Sequence, residues 1–124
     1  MIGKIYWSVF PFYDSKNNCN AFKKRPVLVI AGPRNNDYTV LPISSVTKKQ
    51  NLDADYDFEL DITKYPKLNL SKICYLRTHK QTIVHQASLT SLICDFKTEY
   101  LDLYLDAMAL FEKFEKEVID SAVN

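Results

Sequence analysis

Arg25 stands directly before Pro26 at the mouth of an apolar run, Val27, Leu28, Val29 and Ile30. The four apolar residues belong in a core. A guanidinium does not, because burying an unpaired charge is costly. Arg25 is therefore either a solvated strand-end charge or a group aimed at a ligand. Its planar fork stays charged and grips oxyanions two oxygens at a time. Other cations are scattered along the chain: Lys23 and Lys24 beside it, then Lys48 and Lys49, then Arg77, His79 and Lys80. Brought together by a fold, these could line one groove. His85 reads as structural.

The charge balance bounds the partners. Sixteen basic residues face fifteen acidic ones, for a net charge of +1. That argues against a generic nucleic-acid coat and leaves room for a local basic groove. Three cysteines, Cys19, Cys74 and Cys94, form no Cys-x-x-Cys pair. An odd number without that spacing disfavours a disulfide framework or a zinc site. Cys74 and Cys94 read as small apolar groups. None has the setting of a nucleophile, which leaves a cysteine–histidine hydrolase a distant reading. No cofactor or metal is expected. The first ten residues lack a signal-peptide pattern, and the longest apolar run is far shorter than a membrane span. The expected compartment is the cytoplasm, with no membrane partner.

These residues need elements to position them. A chain of 124 residues reads as a single domain, 1–124. Residues 4–10 are β-branched and aromatic and should form a strand ending at Pro11. Residues 13–24 read as a polar loop. Residues 25–32 form a continuous apolar run, the mark of a strand buried on both faces. Residues 33–37 should turn. Residues 38–46 make a strand that Pro42 should bulge or push to an edge. In residues 53–62, Asp53, Asp55, Asp57, Glu59 and Asp61 alternate with apolar residues. That predicts a strand with one acidic face, either solvated or facing a basic partner. Residues 72–78 and 81–85 are two more short strands, and residues 88–93 a short helical turn. Residues 97–122 read as one long helix with Asp95 or Thr98 as N-cap. Its apolar stripe carries Tyr100, Tyr104, Met108, Phe111 and Val118, with Leu101, Leu105 and Phe114 alongside. The expectation is a mainly β protein: a small closed or half-closed barrel of five to six short strands with a long C-terminal helix. With two glycines in the chain, Asn and Asp must fill some unusual backbone positions.

Several stretches then align with one family. The opening "GKIYWSVFPF", a polar loop, "KKRPVLVI", "VLPISSV", "YLRTHKQTIVHQASL" and a terminal helix resemble, in order, the MazF/PemK (Kid) toxins of bacterial toxin–antitoxin pairs. The resemblance implies an SH3-like barrel and a homodimer. It implies metal-independent cleavage of single-stranded RNA at short sequences, and neutralisation by a cognate antitoxin whose tail occupies the RNA groove.

Such cleavage uses the neighbouring 2′-hydroxyl as nucleophile and leaves a 2′,3′-cyclic phosphate. The protein must accept a proton, donate a proton and stabilise charge on phosphorus oxygens. By resemblance, Arg25 takes the last task with Ser44 and Ser45 at its side. The family's Arg-x-Asp-Gln step is here "RTHK". Arg77 keeps the arginine, His79 stands where Asp is usual, and Lys80 where Gln is usual. His79 is then the substitute acid or base. Lys23, Lys24, Lys48, Lys49 and Lys80 would bind the RNA backbone. Phe12, with Tyr13 and Phe22, would stack on bases.

Two rival readings share the barrel. One is a non-cleaving RNA- or protein-binding module, suggested by the altered "RTHK" step. The other is a gyrase poison resembling CcdB, whose signal is a terminal Trp-Gly-Ile. This chain closes on "DSAVN", which disfavours it.

Overall fold

The computed structural model describes residues 1–46 and 48–124. Strands β1 (Ile5–Asp14), β2 (Cys19–Arg34), β3 (Asp37–Ser44), β4 (Asp57–Leu60), β5 (Cys74–Arg77), β6 (Thr82–His85) and β7 (Leu89–Cys94) precede the helices. A single turn, α1 (Phe96–Glu99), leads into the long α2 (Leu101–Val123). The strands form one curled antiparallel sheet in the order β4-β5-β3-β2-β1-β7, with β6 paired to β3. The protein is thus mainly β, a half-closed barrel with a long C-terminal helix.

β2 behaves as its apolar run dictates. Val27 and Val29 enter one cluster with Tyr38, Val40 and Val84. Leu28 enters the other with Ile5, Leu41, Ile43 and Phe96. Alternate residues of one strand therefore feed two cores, and the strand is buried on both faces.

β3 differs from expectation. Pro42 is neither at an edge nor in a bulge: it pairs with Val27 of β2 in the middle of the sheet. The opposite edge of β3 is shared. Asp37–Val40 pair with β6, and Ile43 and Ser44 pair with β5. Pro42 falls at that changeover, where a missing N–H does least harm to a ladder.

The polar residues 13–24 are not a loop. Pro11 continues β1, and residues 9–14 pair with residues 19–24 of β2 as a two-stranded ribbon. Asp14 closes its tip by accepting the backbone N–H groups of Lys16 and Asn17 at 3.0 and 3.3 Å. Asn18, Asn35, Asn36 and Asn69 all take positive φ, as the shortage of glycine demanded. Asn35 and Asn36 do so consecutively between Arg34 and Asp37, which is the geometry of a tight β2–β3 hairpin.

Three further expectations change. Residues 89–94 form β7 against β1, not a helical turn. The acidic strand shortens to Asp57–Leu60, so Asp57 and Glu59 are the only two of the five alternating carboxylates that lie in it. The terminal helix breaks at Tyr100, whose ring packs edge-on to Tyr65 at 5.1 Å and whose hydroxyl accepts the Lys67 N–H at 2.9 Å. Asp95 caps the first turn through the Thr98 N–H. On α2, Tyr104 and Ala107 are buried, whereas Leu101, Leu105 and Val118 are exposed. The stripe meets the core in its first half only.

Candidate functional site

Arg25 and Ser44 meet where β2 loses its β3 partner. The β2–β3 ladder pairs Val27 with Pro42, so two residues further Arg25 comes opposite Ser44. Arg25 Nη1 donates to Ser44 Oγ at 3.0 Å. The row extends across the sheet, because Ser8 lies opposite Arg25 and Tyr75 opposite Ser44. Residues directly opposed on neighbouring antiparallel strands share a face. The Ser8 hydroxyl is fully buried, with no hydrogen-bond partner among the described residues.

Beside this pair runs a groove of about 440 Å³. Its cations are Lys23, Lys24, Arg25 and Lys72. Its hydroxyls are Ser44, Ser45 and Ser71, and no carboxylate lines it among the described residues. Trp7, Pro26, Ile43, Leu70 and Cys74 supply apolar surface. Four positive charges without a counter-charge in one concavity make an anion site. The adjoining apolar walls suit a ligand with a flat organic part. One wall is set by Asn69, whose left-handed backbone and side-chain bond to the Ile93 carbonyl, 3.0 Å, turn the chain towards Lys72.

The other candidates lie elsewhere. Arg77 is two residues along β5 from Tyr75, and its fork is occupied. Nε donates to Asp57 Oδ1 at 3.1 Å and Nη2 to Asp57 Oδ2 at 3.3 Å. Nη2 also donates to the Asn51 carbonyl at 3.0 Å, which ties down the Lys49–Asn51 turn. The Asp57 side chain is 0% exposed. It also accepts the Asp53 N–H at 2.8 Å.

His79 has two carboxylates as neighbours: Nε2 is 3.8 Å from Asp53 and Nδ1 3.8 Å from Asp57. Its ring packs beside Tyr56 and Phe114. The Tyr56 hydroxyl donates to Glu117 of α2, which pushes its pKa up to about 12. Arg77, His79 and their acids thus join β4, β5 and α2.

Lys48, Lys49 and Lys80 are exposed and do not line the groove. Phe12 does not line it either; the Lys23 ammonium lies 5.0 Å from its ring centroid. The structure therefore brings together Arg25, Ser44, Ser45, Lys23 and Lys24. It adds Trp7, Ser71 and Lys72, which the sequence reading passed over. Lys72 lies 47 residues from Arg25 with no local pattern linking the two, and Trp7 reads as an ordinary strand aromatic.

Cys74 and Cys94 are poor nucleophiles. Burial raises the Cys74 pKa, and burial with Asp95 and Glu99 nearby pushes that of Cys94 up to about 11. Cys19 is exposed on the ribbon. No helix is long and apolar enough to cross a membrane among the described residues. No family model matches the chain, and no curated protein matches it.

Proposed function

We propose that this chain is an endoribonuclease toxin of the MazF/PemK (Kid) kind, cleaving single-stranded RNA laid along the Arg25 groove. The observation that carries the reading is the Arg25–Ser44 contact at the edge of a groove with four cations and, among the described residues, no carboxylate. In the proposed reaction, the 2′-hydroxyl passes its proton to solvent water and its oxygen attacks the adjacent phosphorus. The bond from phosphorus to the 5′-oxygen breaks, the 5′-oxygen takes up a proton from solvent, and a 2′,3′-cyclic phosphate remains. Arg25 holds the non-bridging oxygens as they gain charge, with Ser44 fixing the guanidinium and offering a hydroxyl. Lys23, Lys24 and Lys72 hold neighbouring phosphates. The same groove would accept the acidic tail of a cognate antitoxin. The working form is a cytoplasmic homodimer.

A second reading is favoured by one observation: among the described residues neither His79 nor any carboxylate lines the groove, so its walls carry cations and hydroxyls but no imidazole or carboxylate to accept a proton. That composition fits an RNA-binding module that does not cut. Incubating purified protein with single-stranded RNA in EDTA separates the two. Fragments ending in 2′,3′-cyclic phosphate support the nuclease. Intact RNA retained on the protein supports the module.

A further inference from the structure

We infer that Trp7 is the platform on which one base of the bound strand stacks, an inference that rests on the RNA reading of the groove. Trp7 is the chain's single tryptophan. It lies on β1 opposite Pro26, and both residues line the groove. Its neighbours Ile5 and Ser8 are fully buried, whereas the largest side chain in the strand is 39% exposed. The strand beneath is fixed: the Trp7 carbonyl accepts the Thr90 hydroxyl at 3.3 Å. Pro26, Ile43 and Leu70 extend the apolar surface, and the lysines and Arg25 supply the cations.

That division matches a nucleotide, with its phosphate on the cations and its base on the flat apolar wall. A bare polyanion would leave the apolar wall unused. The ribbon aromatics suit the task less. Phe22 is more exposed than Trp7 but lies outside the groove, and Phe12 has a lysine near its ring. Stacking on an aromatic side chain tolerates any base, because every base has a π-face. Trp7 therefore contributes affinity and register on the strand, not the identity of the base.

The test uses the tryptophan's own emission. One probe is a fully 2′-O-methylated RNA, which cannot be cleaved, and the other an abasic 2′-O-methyl oligomer of equal length and charge. Binding is followed separately by anisotropy of a label on the probe. The RNA is expected to quench the tryptophan on binding, and the abasic oligomer to bind without quenching. Trp7→Ala is expected to weaken RNA binding roughly 5- to 150-fold, the range of one stacked base. It should leave the abasic oligomer's affinity unchanged, and Trp7→Phe should recover most of the loss. RNA that binds without altering the emission overturns the Trp7 platform while the groove reading stands. Failure of both probes to bind overturns the groove reading and the platform together. The emission measurement uses the unaltered chain, so a folding defect in Trp7→Ala does not decide it.

Discussion

Arg25 donates to Ser44 across the β2–β3 boundary at 3.0 Å, one strand from the fully buried Ser8. The contact sets the guanidinium before any ligand arrives, so less side-chain freedom is lost on binding. Arg25→Ala is expected to cut the rate of RNA cleavage about 10²–10³-fold, the usual effect of removing one charge-stabilising donor. Arg25→Lys should recover little, since an ammonium lacks the fork. Circular dichroism should show both variants folded. Wild-type rates in Arg25→Ala would remove Arg25 from the site.

Arg77 is expected to matter for stability. It faces an Asp57 carboxylate with no solvent exposure. Arg77→Ala leaves that charge buried and unpaired, which costs about 3–5 kcal/mol. Denaturant midpoints should fall sharply for Arg77→Ala and recover in part for the Arg77→Met/Asp57→Leu pair. An unchanged midpoint would show that the ion pair is not structural.

His79 was the sequence's candidate for proton transfer. Its packing between Asp53, Asp57, Tyr56 and Phe114 makes it a joint between β5 and α2. His79→Ala should lower the thermal midpoint while leaving the pH–rate profile of the folded protein unchanged. A lost limb near neutrality, with a rate drop of ~10²–10⁴-fold, would restore the histidine as an acid or base.

Lys72 is expected to act through charge alone. Lys72→Gln should weaken RNA binding and reduce the salt dependence by about 0.7 of a log unit per log unit of salt, the share of one single-stranded phosphate contact. Lys80→Gln, outside the groove, should leave the slope as it is. Equal slopes for both variants would contradict the placement of the strand.

Thiol reactivity should follow burial. The raised pKa values of Cys74 and Cys94 leave little thiolate at neutral pH, and both side chains are buried. A thiol reagent should modify Cys19 alone in the folded chain at pH 7, and all three cysteines in denaturant. Rapid modification of Cys94 in the native state would contradict the packing.

What the sequence disclosed followed the range of its interactions. Residues 27–30 announced a two-faced strand because local pattern and burial agree there. Arg25 was legible because it stands at the mouth of that strand, whereas Ser44 was marked through the family resemblance alone. Residues 13–24 misled because a two-stranded ribbon outside the core needs no apolar alternation, and residues 88–93 because six residues hold less than two helical turns of evidence. Pro42 misled because a strand can change partners along one edge. The Arg77 and His79 environment depended on Asp57, whose acidic surroundings in sequence suggested solvent. Lys72 and Trp7 entered the groove through tertiary placement alone.

The most direct test of the central claim is product analysis of single-stranded RNA incubated with the purified protein in excess EDTA. The account predicts internal cuts whose upstream fragments carry 2′,3′-cyclic phosphate, formed by the wild type and all but absent with Arg25→Ala. RNA left whole by a folded wild-type protein, or cuts made equally well by Arg25→Ala, would contradict it.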